Sequence, residues 1–268
     1  MWTMKYRMIV SDVDGTLFES GNKLNDSTIE LVEMYQKSGG IFTLATGRMK
    51  KAIDPFIEQL KIRAPVIVYN GAQLANPHNQ QLIQGFTVER ELAQLVVKKL
   101  DGFRIDPIIH VNQQPFVLKI TDAIKEHTIK DGIQCQVTNE VESLLLNAPT
   151  KFLLIGDPEE LLRYLKVLEE SWQQSFHYVF SDWNYLEILP QNASKGNALK
   201  LLSQHMEIPT EQIAVVGDER NDITMVKEAG FGAAVANANE ALKSQADYIT
   251  AGAYHYGLEE VIKKVMQG

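Results

Sequence analysis

Four polar clusters in this chain each follow, or open a helix facing, a run of apolar residues. The first is Asp12-Val13-Asp14-Gly15-Thr16, directly behind the apolar stretch Arg7 to Ser11. Carboxylates two positions apart point to opposite faces of a continuing strand, but a turn at the strand end can aim both into one pocket, and Gly15 permits that turn. The second, Thr43-Leu44-Ala45-Thr46-Gly47-Arg48, sets a hydroxyl and freed backbone N–H groups at a helix start, the makings of an anion site. In the third, Asn192-Ala193-Ser194-Lys195-Gly196-Asn197, Ser194 reads as a helix N-cap and Lys195 as the first helical residue. A cation is disfavoured at the positive end of a helix, so an anionic partner is expected to offset that cost. The fourth runs the strand Val215-Val216 into Gly217-Asp218-Glu219-Arg220-Asn221-Asp222. Its acidic groups repel one another unless a cation relieves them, and hard oxygen ligands of this kind suit Mg²⁺. Taken singly, each cluster has a plainer reading as a solvated turn or a capped helix start. Taken together they supply carboxylates, a hydroxyl, a lysine and an amide. Phosphoryl transfer needs such a set: a nucleophile, a proton donor, a divalent cation and charge clamps.

The elements that must position these clusters follow from hydrophobic periodicity. Arg7 to Ser11 reads as a buried strand, and a polar turn from Glu19 to Asn25 leads into a helix from about Ser27 to Lys37 with Leu31, Val32 and Tyr35 on one face. Gly39-Gly40 ends that helix, Ile41 to Ala45 is the next strand, another helix runs to about Leu60, and Val66 to Tyr69 is a third strand. This alternation predicts βαβ units around a parallel sheet. From about residue 83 the rhythm changes: short, partly polar strands interleaved with helices such as Pro158 to Ser171 suggest an α+β layer with one exposed face. After Pro190 the βαβ rhythm returns, beginning with a helix from Lys195 to Met206 that carries Ala198, Leu201 and Leu202 inward. The simplest architecture is one α/β core built from both ends of the sequence, with a second domain inserted between them.

Composition narrows the classes of function. The chain of 268 residues is 45% hydrophobic and 22% charged, ordinary globular usage, with a formal net charge of −8. That charge disfavours nucleic acid and anionic lipid as partners. No run approaches the length of a membrane span and no secretory signal is evident, so a cytoplasmic protein is expected. One cysteine, Cys135, excludes an internal disulfide framework and reads as core filler, and the six histidines are too scattered for a metal site. The phosphate-loop, dinucleotide and serine-hydrolase motifs are missing.

In order, DVDGT, ATGR, SKG and GDERND resemble the four motifs of the haloacid dehalogenase (HAD) superfamily. The insert between the second and third, with Asn70-Gly71-Ala72 after the third strand, resembles its Cof-type phosphatase branch, and the likeness covers essentially the whole chain. The resemblance implies an α/β fold: a Rossmann-like parallel-sheet core from residues 1–82 and 190–268, with an inserted α+β cap over 83–189 that sets substrate specificity. It implies Asp12 as the nucleophile that becomes an aspartyl-phosphate, and Asp14 as the group that protonates the leaving oxygen and then activates water. Val13 through its backbone, Thr46, Gly47, Lys195 and Asn221 would bind phosphate. Mg²⁺ would sit on Asp12, the Asp14 backbone carbonyl and Asp218, with Asp222, Arg48 and Asn70 in support and Asp222 orienting Lys195 or a metal-bound water. Glu219 stands where asparagine is commoner in the fourth motif. The implied activity is Mg²⁺-dependent hydrolysis of a small phosphorylated metabolite, by a monomer or small homo-oligomer. A phosphomutase and a catalytically weak ligand sensor are the rival readings.

Overall fold

The strand that ends in the first cluster, β1 (Met8–Ser11), is buried along its whole length because it lies in the middle of a five-stranded sheet. The computed structural model describes residues 5–19, 21–79, 81–174 and 176–267, so Ser20 in the turn after the first cluster lies outside the described residues. In chain order, β1 is followed by α1 (Asp26–Lys37), β2 (Ile41–Leu44), α2 (Lys50–Gln59), β3 (Val66–Val68), β4 (Gln73–Ala75) and β5 (Leu82–Gly85). Next come α3 (Arg90–Lys98), β6 (Ile105–Val111), β7 (Gln114–Val117), α4 (Asp122–Asp131), β8 (Gln136–Val137), α5 (Val141–Leu144), β9 (Lys151–Gly156), α6 (Pro158–Ser171), β10 (His177–Asp182) and β11 (Tyr185–Leu189). The chain closes with α7 (Lys195–Met206), β12 (Ile213–Gly217), α8 (Ile223–Glu228), β13 (Phe231–Ala234), α9 (Glu240–Lys243), β14 (Tyr248–Ile249) and α10 (Tyr254–Gln267).

Two compact units result, one of Met1–Gln84 with Ser194–Gly268 and one of Gly85–Ala193. The first holds the sheet β14-β13-β12-β1-β2, parallel throughout. Its register sets Ser11 beside both Leu44 and Val216, so β1, β2 and β12 end together and the turns behind them converge. In open α/β sheets this carboxyl end is where ligands bind. The expected third strand, Val66 to Tyr69, is β3; it follows the helix α2, meets the end of β2 through one parallel bridge, Ala45 to Ile67, and pairs antiparallel with β4. A turn at Asn70-Gly71 then folds the chain straight back from β3 into β4. Inward faces shift slightly as well. Thr28 joins Val32 and Tyr35 in place of Leu31, and Leu199 is buried on α7 where Leu201 was expected.

The second unit is a six-stranded sheet, β10-β11-β9-β6-β7-β8, antiparallel except between β7 and β8. Leu92 and Val96 of α3, Leu161, Tyr164 and Leu168 of α6, and Ile109, Phe152, Leu154 and Ile188 of the strands share one apolar cluster. The opposite face is less open than a one-sided layer predicts. Ile124 of α4 packs with Ile108, Leu153 and Ile155, and beside them Lys151 and Glu187 form a buried ion pair at 3.2 Å.

Candidate active site

Lys195 opens α7 with an ammonium that is wholly buried, and its two partners explain how that is tolerated. Nζ donates to Asp12 Oδ1 and to Asp222 Oδ1, each at 2.5 Å. Burial by itself would depress the ammonium, but the charges of Asp12 and Asp222 outweigh it and the net shift is upward, so Lys195 stays charged. Ser194 caps the helix through a hydrogen bond from Asn197 N at 3.1 Å, which fixes where Lys195 emerges. Asp222 is held in turn: its Oδ2 accepts from the backbone N–H groups of Asp218 and Glu219 at 2.9 and 3.0 Å. Two backbone donors and an ammonium satisfy this carboxylate completely enough for full burial.

Asp12 and Asp218 are the second buried pair. Burial comes first in pushing both carboxyls above the usual range, and repulsion from neighbouring carboxylates adds to it. Thr16 Oγ1 donates to Asp218 Oδ1 at 3.3 Å, and Asn239 N donates to the Asp218 carbonyl at 2.7 Å. Gly15 is required for this approach. Its φ is 82°, and a Cβ there would lie 2.1 Å from Asp218 Oδ2. Oxygens of Asp12, Asp218 and Asp222 lie within 4.8 Å of one another, all buried. Because Lys195 and two amides already engage Asp222, the donors left for a cation are Asp12 and Asp218. Two mutually repelling buried carboxylates make a hard oxygen site that fits Mg²⁺.

Asp14 stands apart from that cluster. Its side chain, 45% exposed, receives Arg48 Nε at 2.8 Å and Nη2 at 2.5 Å in a two-pronged pair. Arg48 is itself buried, lies over the rings of Phe18 and Phe56, and also donates to Asn22 Oδ1 at 2.8 Å. Val13 is fully buried and its carbonyl accepts from Leu17 N at 2.9 Å, which tightens the turn that presents Asp14. Thr46, two residues beyond the end of β2, has its hydroxyl accepting from Arg48 N at 3.1 Å, next to Gly47. The Thr46 carbonyl accepts from Asn70 N at 2.9 Å, and Asn70 Oδ1 accepts from Asn221 Nδ2 at 2.9 Å. The second and fourth clusters are thereby joined through Asn70.

Three contributors escape the sequence patterns. Thr16 was inside the first string yet carried no role of its own; Asn22 and Asn237 are single asparagines in loops. Asn237 Nδ2 donates to the Gly15 carbonyl at 2.9 Å and its Oδ1 accepts from Tyr254 N at 2.8 Å, bracing the first turn from the far end of the chain. Only the fold brings such residues to their partners.

Comparison with known proteins gives one consistent picture. The family model for haloacid dehalogenase-like hydrolases matches residues 9–262. An HMP-PP phosphatase from Serratia proteamaculans (strain 568) is 27% identical over 89% of this chain and 87% of its own length. A haloacid dehalogenase-like hydrolase from Bacteroides thetaiotaomicron superposes with a TM-score of 0.88 at 25% identity, covering 97% of this chain and 100% of that one. A Thermotoga maritima structure gives a TM-score of 0.85 at 27% identity, with 97% of each chain covered.

Proposed function

Since the chain belongs to the haloacid dehalogenase-like hydrolases and is a phosphoric monoester hydrolase, we propose that it frees inorganic phosphate from small phosphorylated metabolites through an aspartyl-phosphate on Asp12. The observation that carries this reading is the buried Lys195 bridging Asp12 and Asp222 beside Asp218. A carboxylate attacking a phosphate monoester must overcome repulsion between two anions, and a fixed ammonium with a bound cation cancels it. Mg²⁺ held by Asp12, the Asp14 carbonyl and Asp218 would supply that second positive charge to the phosphoryl oxygens. Asp12 then forms the bond to phosphorus as the bond to the leaving oxygen breaks, and Asp14 gives that oxygen its proton. In the second half Asp14 takes a proton from water, the water oxygen bonds to phosphorus, and the Asp12 carboxylate is released. Thr46, Gly47, Asn221 and the Val13 backbone hold the remaining oxygens, while Asp222 fixes Lys195.

Sugar phosphates and phosphorylated cofactors are the proposed substrates. The phosphatase name of the Serratia relative supports the reaction class. We assign selection of the leaving group to the inserted unit, Gly85–Ala193, as a cap domain. A cytoplasmic enzyme, monomeric or a small homo-oligomer, without nucleic acid or membrane partners, completes the reading. The test is phosphate release from an activated aryl phosphate with Mg²⁺ or with EDTA, for wild type and Asp12→Asn. Turnover that requires Mg²⁺ and vanishes in the variant is expected; a folded wild type with no turnover shifts weight to a mutase, a highly selective phosphatase or a ligand sensor.

A further inference from the structure

The turn Tyr69–Gly71 carries three successive residues in the left-handed region, with φ of 51°, 53° and 90°. Asparagine and glycine enter this region readily but tyrosine does not, so the conformation at Tyr69 is held by its surroundings. Its contacts are unusual in reach. Tyr69 N donates to the Arg48 carbonyl at 3.0 Å and Asn70 N to the Thr46 carbonyl at 2.9 Å, tying the turn to the second cluster. A Cβ on Gly71 would lie 2.1 Å from the Ser194 carbonyl and 3.0 Å from Lys195 N, so the turn packs directly on the start of α7. The Asn70 side chain is buried, and its amide lies against Gly47 with Oδ1 accepting from Asn221 Nδ2 at 2.9 Å. One strained turn therefore touches the second, third and fourth clusters.

We propose that Asn70 is a positioning residue whose amide oxygen orients the Asn221 amide for phosphate, with the left-handed turn setting that oxygen's place. The reasoning is one of hydrogen-bond chemistry. An amide oxygen can only accept, so it turns the nitrogen edge of Asn221 toward Asn70 and leaves the second N–H of that nitrogen for an anion. Strain in a backbone conformation at a site, maintained by several external bonds, is the mark of pre-organisation rather than of a passive loop. The inference rests on the phosphatase reading and assigns this side chain a specific part in it.

A double-mutant cycle between Asn70→Gly and Asn221→Ala tests it, reading KM for an aryl phosphate and the inhibition constant of inorganic phosphate in the presence of Mg²⁺. Glycine accepts the left-handed backbone, so the fold is retained and only the side chain is lost. Each single variant is expected to raise both constants about tenfold, the equivalent of one hydrogen bond to a charged group, and the double variant no further than either single one. Should Asn70→Gly not fold, Asn70→Ser, whose hydroxyl is too short to reach Asn221, takes its place in the cycle. Wild-type constants in the Asn70 variant overturn the proposal, as does a double variant whose loss is the product of the two single losses. A wild type that neither turns over nor binds inorganic phosphate overturns the phosphatase reading, and this inference with it.

Discussion

Lys195 is the residue on which most of the site's electrostatics depend, and its replacement should affect turnover and stability together. Lys195→Met leaves Asp12 and Asp222 buried without their common partner, so it should abolish turnover and also destabilise the protein by about 3–5 kcal/mol, read from urea unfolding. Asp14 and Arg48 invite a different experiment, because the general-acid role proposed for Asp14 matters most when the leaving group is poor. Asp14→Asn is expected to slow hydrolysis of an alkyl phosphate by about 10²–10⁴-fold but that of an activated aryl phosphate far less, and Arg48→Gln should shift the same ratio in the same direction. Asp12 and Asp218 make a statement about pH. Their carboxyls are raised in the folded protein, Asp12 to about 7, so the metal-free protein loses their contribution as pH rises from the unfolded value toward the folded one. Mg²⁺ needs the deprotonated forms, so the rise in Tm on adding it should be larger above pH 7 than below, and Asp218→Asn should abolish the difference. The residues behind these predictions were legible because two carboxylates, a capped lysine and an acid-rich strand end are unusual in type and spacing. Asn22 was not, since its meaning lies in Arg48, 26 positions away, and a lone asparagine in a turn carries no pattern.

At the scale of elements, the sequence was most informative where burial is two-sided. β1, β2 and β12 are continuous apolar runs ending in polar clusters, as central parallel strands must be. β3 shows the limit of that signal. Val66-Ile67-Val68 is as apolar as β1, and a three-residue run cannot say whether its neighbour arrives by a crossover or by a hairpin. The Asn70-Gly71 turn after it supplies the hairpin into β4. The four-residue α5 is too short for any periodicity to register. The turn at Gly15 makes an element-level prediction. Gly15→Ala would place a methyl against the Asp218 carboxylate in a left-handed backbone, which should cost on the order of 1–3 kcal/mol and, by moving the turn off Asp218, remove the stabilisation by Mg²⁺. Thermal melts with and without the cation read both effects.

For the molecule as a whole, the two units should respond differently to acid. His110, His127 and His177 all lie in the inserted unit, and burial depresses all three, with Lys151 adding to the effect on His110 and His127. Neutral in the folded state, they protonate first in the unfolded chain, so stability should fall as pH drops below about 6.5, by about 1.4 kcal/mol per pH unit for each histidine. Urea unfolding followed by the fluorescence of Trp172 and Trp183, both in that unit, measures this, and His110→Phe should flatten the slope. Within the second unit, Gly85–Ala193, the helix Pro158–Ser171 was readable from its periodicity. The partners of the inserted strands were not, because antiparallel order is set by contacts distant in sequence. The central place of β1 has a consequence for biosynthesis. One of its neighbours precedes the insert and the other follows it, and 183 positions separate Asp12 from Lys195. At about 5–20 residues per second, a ribosome takes roughly 10–40 s to cover that distance. Throughout it the nascent chain holds Asp12 with neither Lys195 nor Asp218 beside it, and an open strand edge next to it. On the proposed mechanism, a chain stalled before β12 is inert toward phosphate esters, and its open strand edge makes it the species most in need of a chaperone.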